Sequence, residues 1–123
     1  MKILRFEDIV AWQEARILVK QVYSLNNMQL LKDFRFRAQI TSCATSVMSN
    51  IAEGFSRNTN REFKQYLFIA KGSVAELQSN LYVALDQQYV EENLFNELYK
   101  QSDKVARLIS KFITYLNSII KPN

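Results

Sequence analysis

Two glycines and one proline in 123 residues leave the chain few places to turn. Glycine supplies left-handed backbone cheaply and proline interrupts helices, so a chain poor in both favours long helices. The apolar spacing agrees. Phe63, Leu67, Ala70, Val74, Leu77, Leu81 and Ala84 recur at steps of four and three without a break, which is the seam by which one helix packs along another. Ahead of them Thr59-Asn60-Arg61-Glu62 reads as a capping box, in which a threonine hydroxyl and a glutamate side chain satisfy the unpaired amides of a first turn.

Three further helical segments flank this one. The first runs from about Phe6 to Tyr23, with Ile9, Trp12, Ala15, Val19 and Val22 on one face, and Ser24-Leu25-Asn26-Asn27 leads out of it. The second begins near Leu31 to Asp33, with Asp33 as a cap, and runs toward Gly54. Its seam is Ile40, Ala44, Val47 and Ile51, with Phe34, Met48 and Phe55 alongside. Gly54 reads as a helix stop in the left-handed conformation. Gln87-Gln88-Tyr89 precedes a last helix from about Glu91. There Leu94, Leu98, Val105, Leu108, Phe112, Tyr115 and Ile119 keep the spacing, and Ile109, Ile113, Leu116 and Ile120 form a second row. A face that wide packs against more than one helix. Short connections between four helices predict an all-α fold, an antiparallel up-down-up-down four-helix bundle, as a single domain over residues 1–123.

Composition narrows the chemistry. There is no histidine and one cysteine, Cys43, so the commonest general base is missing and neither a zinc site nor any other metal or cofactor is expected. The acids are scattered, and no enzymatic activity is expected. A single cysteine forms no internal disulfide. Between Ser42 and Ala44 it reads as a small packed residue rather than a reactive thiol. Charges come early in Met1-Lys2-Ile3-Leu4-Arg5-Phe6 and no apolar run approaches a bilayer span, so a cytoplasmic protein with no membrane role is expected.

Polar and small residues interrupt the apolar seams at Ser46, Asn50, Glu53 and Gly54 in the second helix and at Gly72, Ser73 and Glu76 in the third. A hairpin turning near Arg57 sets Ser42, Cys43 and Ser46 opposite Gly72 and Ser73. Glycine inside a helix costs up to about 1 kcal/mol relative to alanine, so Gly72 calls for a close backbone approach. Asn50 and Glu53 either cap backbone groups near the helix end or bond a neighbouring subunit.

At these residues the chain resembles a known family, the four-helix-bundle proteins encoded within intervening sequences of bacterial 23S ribosomal RNA genes. The family pattern is Ser-aliphatic-x-x-Asn-Ile-Ala-Glu-Gly, then an Arg, then Glu-Phe, then Ala-x-Gly-Ser-x-x-Glu-Leu. It matches Ser46 to Leu77, and Trp12-Gln13 with Ala15 fits the N-terminal part. The resemblance implies a bundle that assembles with itself, as a pentamer. Through a more distant similarity to accessory proteins of diversity-generating retroelements it also implies a nucleic-acid role. It implies no particular reaction. The chain departs from the pattern at Gln39-Ile40-Thr41-Ser42, where relatives carry a basic pair after the glutamine; Arg35 and Arg37 lie one or two turns earlier.

The charges suit that expectation. Net charge is +4, with a pI near 9.3, and clustering matters more than the total. Lys100, Lys104, Arg107 and Lys111 step by four, three and four along the last helix, about a third of a turn from its apolar seam. Arg57, Arg61 and Lys64 gather where the third helix begins, at the positive end of its dipole. Two functions follow from this reading. One is an oligomeric RNA- or DNA-binding protein that reads backbone charge. The other is a scaffold or accessory subunit for a protein partner such as a polymerase, with the charges serving solubility.

Overall fold

The computed structural model describes residues 2–121. Among them the regular structure is all helical: a 3-10 turn at Phe6–Asp8, then α1 (Val10–Tyr23), α2 (Met28–Lys32), α3 (Phe34–Phe55), α4 (Asn60–Asp86) and α5 (Glu92–Ile119). The four long helices are those expected, with two differences. Residues Phe6–Asp8 form a separate turn whose ring Phe6 packs edge-on against Trp12 at 5.1 Å. The five-residue α2, capped by the Asn27 side chain accepting from Gln29 and Leu30 amides, lies between the expected loop Ser24–Asn27 and the Asp33 cap, as a short helix of its own ahead of α3.

Local chemistry sets the helix ends. Asp33 caps α3 by accepting from the Phe36 amide at 3.2 Å. Thr59 accepts the Glu62 amide at 3.1 Å, and its hydroxyl bonds the Glu62 carboxylate at 3.2 Å. The glutamate thus closes the box on the hydroxyl rather than on a backbone amide. At the end of α4, Gln88 takes the left-handed conformation, φ 63°. Its amide bonds the Leu85 carbonyl and the Tyr89 amide reaches the Ala84 carbonyl at 2.8 Å, the paired closure with which helices often end. Here glutamine occupies the place that glycine usually takes.

Helix α3 packs on α4, α4 on α5, and α1 on both α3 and α5, around one shared core. Every member of the α4 seam, Phe63 to Ala84, is buried, as are Ile40, Ala44, Val47 and Ile51 of α3. The α5 assignment needs correction. Its inward residues are Phe95, Leu98, Ser102, Val105, Ile109, Ile113 and Leu116, so the second row supplies the lower core, while Leu94, Tyr115 and Ile119 of the first row face water. Phe34 is also outside, at 79% exposure. In α1, Ala11 and Leu18 are fully buried while Trp12 and Val19 pack at the core's edge.

Both glycine expectations are overturned. Gly54 does not stop α3 in a left-handed turn, because no glycine has positive φ. It lies within the helix, buried, where an added Cβ would stand 2.7 Å from Tyr66 Cβ, 2.8 Å from Phe63 Cδ1 and 3.2 Å from the Phe63 carbonyl oxygen. The close approach of α3 to α4 is therefore here. Gly72 is exposed, and nothing lies within 4 Å of its would-be Cβ. The α3 end is instead closed by Ser56, whose hydroxyl bonds the Glu53 carbonyl at 2.6 Å. Because two of the three close atoms at Gly54 belong to backbone or to a Cβ, Gly54→Ala should lower unfolding free energy by about 1–3 kcal/mol, read from denaturant midpoints at unchanged slope.

Candidate nucleic-acid interface

The nine cations singled out from the sequence do not form one surface. Arg35 and Arg37 sit in the first turn of α3, Arg35 exposed and the Arg37 guanidinium 6.0 Å from the Tyr23 ring. Arg57 follows the other end of that helix, about 33 Å away at 1.5 Å per residue. The α3–α4 turn cations are engaged. Arg57 donates to the Tyr66 phenol at 2.6 Å, stacks 5.0 Å from that ring and has Glu62 at 3.8 Å. Arg61 donates to the Lys121 carbonyl at 2.6 Å, and Lys64 to Asn117 at 3.0 Å. These last two tie the start of α4 to the end of α5, which sequence spacing does not reveal.

The α5 row is the more open set. Lys100, Lys104, Arg107 and Lys111 line a groove of about 1180 Å³ together with Gln21 of α1 and Gln101, Leu108 and Ser110 of α5. Two of the four cations are already paired. Lys104 Nζ lies 2.9 Å from Glu14, and Arg107 lies 2.7 Å from Asp103. Lys104, and behind it Gln101, hold the Glu14 carboxyl below its usual range. Gln101, a polar residue in the apolar spacing, donates to the Glu14 carbonyl at 2.9 Å and so fastens α5 to α1. Lys100 and Lys111 are exposed and make no ion pair among the described residues. They are the cations best placed to meet phosphate.

The small polar residues form a ladder between α3 and α4. Ser46 and Ser73 hydroxyls meet at 2.9 Å, and Asn50 reaches the Ser46 carbonyl and hydroxyl at 2.8 and 3.0 Å. Gln39 donates to Asn80, which donates to the Cys43 sulfur at 3.3 Å. Asn50 thus bonds within its own chain, whereas Glu53 and Glu76 are exposed. Asn80, buried opposite Cys43, is a ladder member that the sequence reading missed; its polar identity inside the α4 seam is the signal. Among the described residues, no three or more His, Cys, Asp or Glu side chains stand together as a metal set, and no helix is long and apolar enough to cross a membrane.

A different pair of stripes lies on the outside. Phe68, Gly72, Ala75, Ser79 and Tyr82 step by four and three along α4, all exposed, and Ala38, Ser42 and Ser49, four and seven residues apart, are exposed on α3. Phe68, Ile69 and Tyr82 each expose 51% of their surface. The tyrosines with polar or aromatic partners are accounted for within the chain: Tyr89 donates to Asp33 at 2.7 Å, and Tyr82 and Tyr99 pack against Phe95.

The fold is that of an all-helical protein of the kind seen in a crystal structure of a protein of unknown function from the S23 ribosomal protein family of Bacteroides thetaiotaomicron. That neighbour is 21% identical, with a TM-score of 0.78 over 85% of this chain and 98% of its own. The family model of the 23S rRNA-intervening sequence protein matches residues 7–111, and the chain belongs to that family. No curated protein matches it.

Burial, and then Glu76, push the Cys43 thiol up to about 11 from an ordinary 9.0. The folded chain therefore holds this proton more tightly than the unfolded one. The associated stability is fully present below pH 9 and is lost as pH rises through about 11. Cys43→Ala should flatten that alkaline fall relative to the parent, measured as unfolding free energy against pH from 8 to 11, and the native thiol should resist alkylation at pH 8.

Proposed function

We propose that the chain is the protomer of a homo-oligomer that binds RNA or DNA through a repeated cationic surface and catalyses no reaction. The observation that carries this reading is the α5 row, in which Lys100 and Lys111 line a groove of about 1180 Å³ and make no ion pair among the described residues. The family's name ties its members to ribosomal RNA genes, and the more distant similarity to retroelement accessory proteins that the resemblance implies would fit the same role. We further read the long helices as an antiparallel up-down-up-down bundle. Contacts pair early residues of one helix with late residues of the next: Ser46 with Ser73 and Cys43 with Asn80, then Lys64 with Asn117 and Gln78 with Ser102. A cytoplasmic location fits the charged N-terminal segment.

Self-association falls to the outer α4 stripe. Small residues at Gly72, Ala75 and Ser79 let another helix approach closely, and Phe68 and Tyr82 supply apolar anchors at the ends. This gives Gly72 a use between chains where it has none within one. The resemblance implies five copies. Each lysine then appears five times, and modest phosphate contacts add across the ring.

Replacing Phe68 and Tyr82 together by glutamate should leave helical content intact and reduce the mass in light scattering to that of one chain. An unchanged mass assigns the interface elsewhere. The binding test is affinity for structured RNA and for duplex DNA across a salt series. Log affinity should fall linearly with log salt, and Lys100→Glu with Lys111→Glu should reduce the slope by about two per protomer engaged. Weak binding with no salt dependence would transfer the function to a protein scaffold, for which the same exposed α4 stripe would serve as the docking face.

A further inference from the structure

A second groove, of about 580 Å³, opens at the end of the bundle where the N-terminal segment, the α3–α4 turn and the last turns of α5 meet. Its walls include Val10, Phe55, Phe63, Leu108, Phe112 and Ile119. The rings form a continuous floor: Phe55 to Phe63 at 6.0 Å, Phe63 to Phe112 at 5.1 Å and Phe112 to Tyr115 at 6.1 Å. Val10, Tyr115 and Ile119 at its lip expose 51%, 58% and 43% of their surface. Leu108 also lines the α5 groove; the rest of this apolar lining does not, and none of it belongs to the outer α4 stripe.

The polar part of the lining is unequal in charge. Lys2, Arg57 and Lys111 contribute three cations, and Asp8 is the one acid among the lining residues. Asn58 and Asn60 add neutral amides. Sites for small ligands occupy roughly 300–1,000 Å³, mostly apolar with a few convergent polar groups, and this groove meets each condition. An apolar floor with an excess of two positive charges at its rim (three cations against one acid) complements a ligand with an apolar body and a single negative charge.

We propose that this groove binds a fatty acid, its chain lying along the Phe55, Phe63 and Phe112 rings and its carboxylate meeting the cationic rim. The rings hold the chain by dispersion and by removing its surface from water. The rim supplies charge-assisted contacts to the carboxylate. Arg57 is partly committed to Tyr66 and Glu62, so Lys2 and Lys111 carry most of the head-group contact.

The test is calorimetric titration of the full chain with laurate below its micelle-forming concentration, beside dodecyl maltoside, which has the same chain and an uncharged head. Laurate should bind saturably, and dodecyl maltoside at least tenfold more weakly. Val10→Gln and Ile119→Gln, both at exposed positions, should each weaken laurate by about tenfold while circular dichroism and RNA affinity stay unchanged. Lys2→Gln should weaken it several-fold. No laurate binding, equal binding of the two amphiphiles, or indifference to the three substitutions would overturn the proposal. A fall in assembly mass in Val10→Gln or Ile119→Gln without laurate uptake would also overturn it, and would assign the groove to a second copy. Because these variants spare Lys100 and the α5 row, loss of laurate binding with RNA binding retained separates this site from the nucleic-acid surface.

Discussion

The close contact between α3 and α4 at Gly54 is the constraint on which the rest of the structure depends. The missing side chain lets Phe63 and Tyr66 stand against the α3 backbone, and from that point the two helices run together with Ser46 on Ser73 and Cys43 on Asn80. A larger residue would push the helices apart at their turn, where the ladder begins. The hydroxyls and amides on this line find each other, so a polar strip passes through an otherwise apolar contact with its groups satisfied. Hydrogen-bonded pairs of this kind, part-buried at Ser46–Ser73 and buried at Cys43–Asn80, fix register more sharply than interchangeable aliphatic side chains do.

Having fixed that pair, the chain closes the bundle with contacts of a different character. Lys64, Arg61, Gln78, Gln101 and Lys104 use long side chains to tie α4 and α1 to α5 at its edges. The exposed ones among them contribute little stability each. Their larger effect is to decide which cations remain available. Lys104 and Arg107 are held by acids of the same chain, whereas Lys100 and Lys111 project without a partner ion among the described residues. The functional reading thus rests on the pairing of charges more than on their number.

The surface divides into three regions with distinct chemistry. One edge of α5 is cationic, the outer face of α4 is small and apolar with aromatic ends, and the end of the bundle carries an aromatic groove with a basic rim. Lys111 lines both grooves, so a ligand at the bundle end would sit beside the cationic row of α5. Gly72 faces outward, and its own chain places nothing within 4 Å of where its Cβ would stand.

The sequence by itself determined the helices and most of the core. Breaker scarcity, the capping box at Thr59 and the unbroken α4 seam are local properties, set by backbone preference and by side-chain periodicity within one segment. The motif from Ser46 to Leu77 likewise led to the family that the match over residues 7–111 bears out. Only the tertiary structure decided which of the two apolar rows of α5 faces inward, because both satisfy the same helical period and the choice depends on where α1 and α4 lie. It also decided between the two glycines, since a residue without a side chain gives no pattern and its role depends wholly on what stands opposite. For the same reason the charge rows could be read from spacing, but not which cations were already neutralised. Glu14 and Asn117, which engage Lys104 and Lys64, come from distant parts of the chain that packing alone brings together.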